Sequence, residues 1–137
     1  VQDALKTAAL RGATVDVVLP LRNNLPMVDW ACRGQLEDLL HWGVRVWYSP
    51  GDFDHSKLFT VDGRWSMVGS ANWDPRSLRL NFECNLECYD ARLARSLERM
   101  VDQVTARAEP LELAELRNAW LPVRLRNGIA RLMSPYL

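Results

Sequence analysis

Two β-branched runs, each led by a helix-spaced segment and closed by a turn former, constrain this chain more than any other feature. Thr14–Leu19 (TVDVVL) ends at Pro20, and Val44–Tyr48 (VRVWY) repeats the pattern. Both read as short buried strands. Before the first, residues 2–11 place Ala4, Leu5, Ala8 and Ala9 at helical spacing, and Gly12 supplies a stop. Between the two, Asp29 can cap a second helix running to about Trp42, with Cys32, Leu36, Leu39 and Leu40 inward and Gly43 ending it. Consecutive strands separated by a helix cannot form a hairpin, so the rhythm predicts an α/β layered domain with partly parallel strands. The polar, Pro-containing stretch RNNLPM after the first strand suits a functional loop. A chain of 137 residues fits a single domain, residues 1–137.

From Ser49-Pro50-Gly51 the pattern changes. Lys57–Val61 and Trp65–Val68 are short strands separated by Asp62-Gly63, a strong hairpin signal. A further strand is expected over Asn81–Tyr89 (NFECNLECY), with Phe82, Cys84, Leu86 and Cys88 on one face and Glu83, Asn85 and Glu87 on the other. Asp90 caps a long helix to about Ala106, and Leu111–Trp120 makes a shorter one. The six tryptophans are expected mostly in the core, apart from Trp73.

The formal net charge is zero, so any attraction to nucleic acid or anionic lipid must come from local patches. One such patch is visible. Residues 117–137 carry Arg117, Arg124, Arg126 and Arg131 with no acidic residue, mixed with Leu, Ile and Met. This basic amphipathic segment suits either a lipid interface or a closing helix packed on the domain. Cys32, Cys84 and Cys88 are odd in number and lack close metal-ligand company, which predicts reduced thiols, no disulfide framework, no metal and a cytosol-facing environment. No apolar run is long enough to cross a bilayer, and no signal peptide is expected. The start at Val1, inside a helical pattern, reads as a piece of a longer protein.

The chemistry-bearing residues cluster around the hairpin. His55-Ser56-Lys57 is followed by four residues, Asp62, six residues and then Gly69-Ser70-Ala71-Asn72. Strand alternation puts His55 and Lys57 on one face, so an imidazole and an ammonium converge. Asn72 follows the returning strand and can reach the same end of the sheet. Gly69 permits close backbone approach, and Ser70 supplies a short hydroxyl. A nucleophile or acid, a fixed cation and two neutral donors suit an oxyanionic phosphoryl group.

His-x-Lys-(x)4-Asp-(x)6-Gly-Ser-x-Asn resembles the HKD signature of the phospholipase D superfamily and matches it at all six fixed positions. SANWDPRSLRLNFECNLECYD (70–90) and the closing RLRNGIARLMSPYL are similar to bacterial cardiolipin synthases. The resemblance implies a mixed β-sheet sandwiched by helices, one half of a two-motif fold. It also implies phosphatidyl transfer through a phosphohistidine, formed by one motif His while a second protonates the leaving alcohol.

Carried over by residue, His55 is nucleophile or acid, Lys57 and Asn72 hold phosphoryl oxygens, Ser70 supports the phosphate pocket and Glu83 orients the imidazole. Asp62 and Gly69 have supporting roles, and no cofactor or metal is implied. The implied partners are an anionic phospholipid such as phosphatidylglycerol, the membrane surface, and a second HKD motif from a missing N-terminal half or a homodimer mate. Nucleic acid is not expected, and the segment is placed peripherally at the cytoplasmic face of a bacterial membrane. A phospholipase D or nuclease-type phosphodiesterase, or a noncatalytic interaction half, are the alternatives.

Each assignment has a plainer counterpart. His41 beside Trp42 at a helix end is structural, suited to the helix dipole. Glu83 could be a solvent-facing strand residue. Asp74, Arg76 and Ser77 in WDPRS could be an ordinary turn, or Arg76 could bind a head-group phosphate with Trp73 flanking the substrate.

Overall fold

The computed structural model describes residues 1–21, 26–51, 55–72 and 81–133. These include five helices: α1 (Gln2–Leu10), α2 (Pro26–His41), α3 (Ala91–Thr105), α4 (Leu113–Arg117) and α5 (Leu121–Met133). Six strands accompany them: β1 (Asp16–Pro20), β2 (Arg45–Ser49), β3 (Lys57–Val61), β4 (Trp65–Gly69), β5 (Asn85–Cys88) and β6 (Glu109–Pro110). The α/β class expected from the sequence is present. The strands form two sheets, a mixed one in the order β1-β2-β6 and an antiparallel one in the order β3-β4-β5. The chain forms two compact units, Val1–Phe53 with Ala108–Leu137 and Asp54–Arg107.

The first unit contains the main apolar core. β1 and β2 pair in parallel with α2 as the crossover, as the helix between two strands requires. Leu36 and Leu39 of α2 are buried with Val44, Val46, Tyr48 and Leu111, and Leu5, Ala9, Val15, Val17, Leu19, Leu40 and Leu116 pack around them. α2 begins at Pro26, before Asp29, so Asp29 lies within the helix and is not its cap. Proline at the first helical position has its φ already set and loses no hydrogen bond there. Gly43, at φ +85°, takes the left-handed conformation that stops the helix.

Across the parallel pair, the Asp16 carboxylate accepts from Arg45 Nε at 2.8 Å and from Trp47 Nε1 at 2.7 Å. Burial works against the Asp16 charge, but these bonds outweigh it and hold the carboxyl below its ordinary value. The indole N–H also explains why the tryptophans are not core residues as expected. Trp47 and Trp42 each spend theirs on a carboxylate at the surface, and Trp42 and Trp120 are exposed.

In the second unit, β3 and β4 pair from Lys57↔Gly69 to Val61↔Trp65 around the expected turn. Asp62 and Gly63 both have positive φ, at 50° and 58°, and Arg64 N donates to Val61 O at 3.0 Å. Such mirror-image turns match strand twist, and Asp and Gly tolerate them best. α3 secures the turn, because Glu98 Oε1 accepts from Gly63 N at 2.6 Å. A Cβ at Gly63 would lie 3.0 Å from Arg95 Cγ and 3.1 Å from Glu98 Oε2, so any larger residue there makes those side chains give way. Asp90 caps α3 as expected, accepting from Arg92 N at 2.7 Å and Leu93 N at 3.1 Å. Those bonds hold its carboxyl below the ordinary value.

The third strand of this sheet differs from expectation. β5 covers only Asn85–Cys88, and its partner β4 ends at Gly69. Beyond that point Cys84 N donates to the Ser70 hydroxyl, at 3.0 Å, rather than to a strand carbonyl. Glu83 therefore precedes the strand. The apolar face is also not buried: Phe82 and Leu86 are exposed, as is Cys84. α3 packs on the hairpin end, where Ser66 is fully buried, while Val68 and Leu86 at the other end stay in contact with solvent. The short helix α4 occupies only part of Leu111–Trp120, closed at its start by a reciprocal Glu112–Glu115 capping box.

Candidate active site

The signature residues other than Asp62 gather at the open end of the antiparallel sheet. Lys57, Gly69 and Asn85 stand abreast, paired in register across β3, β4 and β5. His55 lies two residues before β3 begins, and Ser70, Ala71 and Asn72 follow the end of β4. Two antiparallel strands joined by a tight turn necessarily bring the residues before the first and after the second together. The hairpin thus delivers both parts of the signature to one place.

Lys57 Nζ donates to the His55 carbonyl oxygen at 2.6 Å. This bond folds the ammonium back beside residue 55, within a half-buried setting for Lys57 and an exposed one for His55. On the other side, Ser70 Oγ donates to Glu83 Oε2 at 2.5 Å, and Asn81 Nδ2 donates to Glu83 Oε1 at 3.4 Å. Both carboxylate oxygens are engaged, and Glu83 is half-buried. The Ser70 hydroxyl also accepts from Cys84 N, and Ser70 N donates to Cys84 O at 3.0 Å. Ser70 therefore ties the Gly-Ser-x-Asn segment to the segment carrying the acid.

Gly69 is required by this closeness. A Cβ there would stand 2.6 Å from the Cys84 carbonyl oxygen and 2.8 Å from Asn85 Cα. Ala71 is buried, and its amide donates weakly to Asn85 Oδ1 at 3.4 Å, while Asn72 is exposed. Asp62 sits at the far end of the hairpin in the turn, where its contribution is to hairpin geometry. Trp73 and Arg76, with the rest of the WDPRS turn, lie outside the described residues.

Two residues escaped sequence reasoning as parts of this site, and a third as an anchor of the turn at the far end of the hairpin. Asn85 stands in the Lys57–Gly69 row and reaches Ala71 N, a position that strand alternation with Glu83 could have suggested. Asn81 supports the Glu83 carboxylate, and Glu98 anchors the turn from a helix with no sequence signal linking the two. Among the described residues, no group of three or more His, Cys, Asp or Glu is placed to hold a metal ion. Nor is any described helix long and apolar enough to cross a membrane.

Comparison with known proteins bears on this site as a whole. Cardiolipin synthase 2 of Staphylococcus epidermidis is 37% identical over 135 residues, covering 98% of this chain and 28% of that protein. A cardiolipin synthase of Staphylococcus aureus is 36% identical over 135 residues, with 98% and 27% covered. The chain therefore spans less than a third of the length of these curated relatives. In structure it resembles Nuc from Salmonella typhimurium, a phospholipase D family member, with a TM-score of 0.70 and 20% identity over 81% of this chain and 72% of that one. That likeness establishes the fold. Residues 1–105 match the family described as cardiolipin synthase, PLD-like domain, and the chain belongs to that family.

Proposed function

We propose that this chain supplies one of two HKD motifs to a phosphatidyltransferase that makes cardiolipin-type lipids. The observation that carries this reading is that five of the six signature residues fold to one sheet end while Asp62 forms the turn at the other, with Lys57 drawn back to residue 55 and Ser70 locked to Glu83. The chemistry proceeds in two displacements. An imidazole nitrogen attacks phosphorus of a phosphatidylglycerol, and the bond from phosphorus to the glycerol oxygen breaks. A second motif histidine gives its proton to that departing oxygen. In the return step a lipid hydroxyl attacks the phosphohistidine, passes its proton to the second histidine, and the phosphorus–nitrogen bond breaks. Atoms and protons balance over the pair of steps. His55 fills one of these two roles.

Lys57 and Asn72 stabilise the charge that builds on the non-bridging oxygens, and Ser70 borders the same phosphate pocket. Glu83 accepts from the far nitrogen of the catalytic imidazole and fixes its tautomer, while Ser70 and Asn81 fix Glu83. Trp73 and Arg76 flank the head group. The second motif comes from another segment of the enzyme or from a second copy related by a twofold axis. The lipid substrate places this unit peripherally at the cytoplasmic face of the membrane.

The test is phosphatidyl transfer from labelled phosphatidylglycerol by the enzyme containing both motifs, with short DNA assayed in parallel. His55→Ala abolishes transfer and keeps the native melting profile. Lys57→Ala lowers the rate by about 10²–10³, the usual loss for one oxyanion donor. Lys57→Arg does not restore it, since a planar fork replaces a compact ammonium poorly. A folded His55→Ala enzyme with wild-type transfer would refute the catalytic assignment, and cleavage of DNA in place of lipid transfer would refute the substrate.

A further inference from the structure

α5 is an amphipathic helix whose larger apolar face points away from the unit that carries it. Its 13 residues extend about 20 Å. It packs along α2 through a narrow strip, with Val123 half-buried and Asn127 and Ala130 buried. The opposite face presents Leu121, Leu125, Ile129 and Leu132, at helical spacing, and all four are between 59% and 77% exposed. Trp120, immediately before the helix, is 76% exposed. An ordinary surface helix turns its apolar stripe inward, so this one is oriented for something outside the unit.

The charges specify what that is. By helical register Arg124 and Arg126 stand on the two flanks of the apolar stripe. Arg126 is held there, its guanidinium 4.3 Å above the Trp30 ring and 3.1 Å from Asn127 Oδ1. From Arg117 to Leu137 there is no acidic residue. Arg117 at the start of this stretch is turned to Glu37 at 3.6 Å, and Glu37 and Glu115 line a groove with Leu121, Arg124 and Leu125, while the helix itself carries only cations. A bilayer of anionic lipid meets both requirements at once, with acyl chains beneath the stripe and phosphates at the level of the flanking guanidiniums.

We propose that α5 lies flat on an anionic bilayer, with Leu121, Leu125, Ile129 and Leu132 inserted to the acyl boundary and Trp120 at the head-group level. Arg124 and Arg126 reach phosphates on either side. The proposal rests on the phosphatidyl-transfer reading only for the choice of a lipid surface as partner. The helix lies beyond residues 1–105, so the family match does not assign it a role.

The experiment is co-sedimentation of the purified chain with vesicles of phosphatidylcholine and phosphatidylglycerol in equal parts, and with phosphatidylcholine alone. Binding needs no turnover, so it is read independently of transfer. The wild-type chain partitions to the mixed vesicles, and added salt weakens the binding. Leu125→Glu with Ile129→Glu lowers partitioning more than tenfold, since two exposed side chains no longer enter the acyl boundary. Arg124→Ala lowers it about fivefold on mixed vesicles and leaves binding to phosphatidylcholine unchanged. Circular dichroism confirms that each variant is folded. His55→Ala partitions as wild type. Equal binding of the wild type and the double variant overturns the proposal. So does a change from dimer to monomer in the double variant with vesicle binding unaltered, which would make the stripe an interface between copies. Loss of transfer in His55→Ala with vesicle binding retained separates the two readings.

Discussion

Replacing Gly69 by alanine tests whether the closeness of β4 and the Cys84–Asn85 segment builds the site. The added Cβ would sit 2.6 Å from the Cys84 carbonyl oxygen and 2.8 Å from Asn85 Cα. Ordinary contact begins near 3.4 Å, so the two backbones must part by about 0.6–0.8 Å. The Cβ would also meet Asn85 Oδ1, a side-chain end that can rotate away, but the other two neighbours are backbone, and overpacking of this kind costs about 1–3 kcal/mol. The same movement draws Ser70 away from Glu83, and misplacement approaching 1 Å in a catalytic constellation costs about 10²-fold in rate.

Gly128→Ala is the matched control, because its Cβ meets nothing within 4 Å inside α5. Alanine there removes backbone entropy from the unfolded chain and stabilises by roughly 0.5–1 kcal/mol. Urea denaturation of the chain reads both changes, which should have opposite signs. A Gly69→Ala chain as stable as wild type, with unchanged transfer in the two-motif enzyme, would refute the reasoning.

Two further outcomes follow from the hydrogen bonds. The Asp90 carboxyl is held below its ordinary value chiefly by the Leu93 and Arg92 backbone amides. Its contribution is full above the unfolded carboxyl pKa of about 3.9 and is lost as pH falls through the lower folded value. Asp90→Asn keeps a capping oxygen without the charge, so melting curves over acid pH should show that variant losing less stability than wild type below about pH 4. Ser70→Ala removes a charge-assisted bond to Glu83 in an exposed setting, worth about 1 kcal/mol after solvent screening. Transfer should fall about fivefold, with Ser70→Thr recovering most of it; a Ser70→Ala enzyme at full rate would show that Glu83 needs no such support.

The sequence by itself determined the local elements and the signature. Apolar spacing marked α1, α2 and α3, β-branched runs marked β1 and β2, and Asp62-Gly63 set the hairpin, because each is decided by residues within a turn or two. The signature placed His55, Lys57, Gly69, Ser70 and Asn72 together, since a tight hairpin leaves their segments nowhere else to meet. Tertiary structure decided what depends on partners distant in the chain. β5 starts at Asn85 and leaves Glu83 outside the ladder because β4 ends at Gly69 and the Ser70 hydroxyl takes over the pairing. Periodicity could identify α5 as amphipathic, but it could not say which face would be covered. Only the packing against α2 showed that the small face of Val123, Asn127 and Ala130 turns inward and the leucine stripe outward, since burial depends on the neighbour a helix finds as well as on its own pattern.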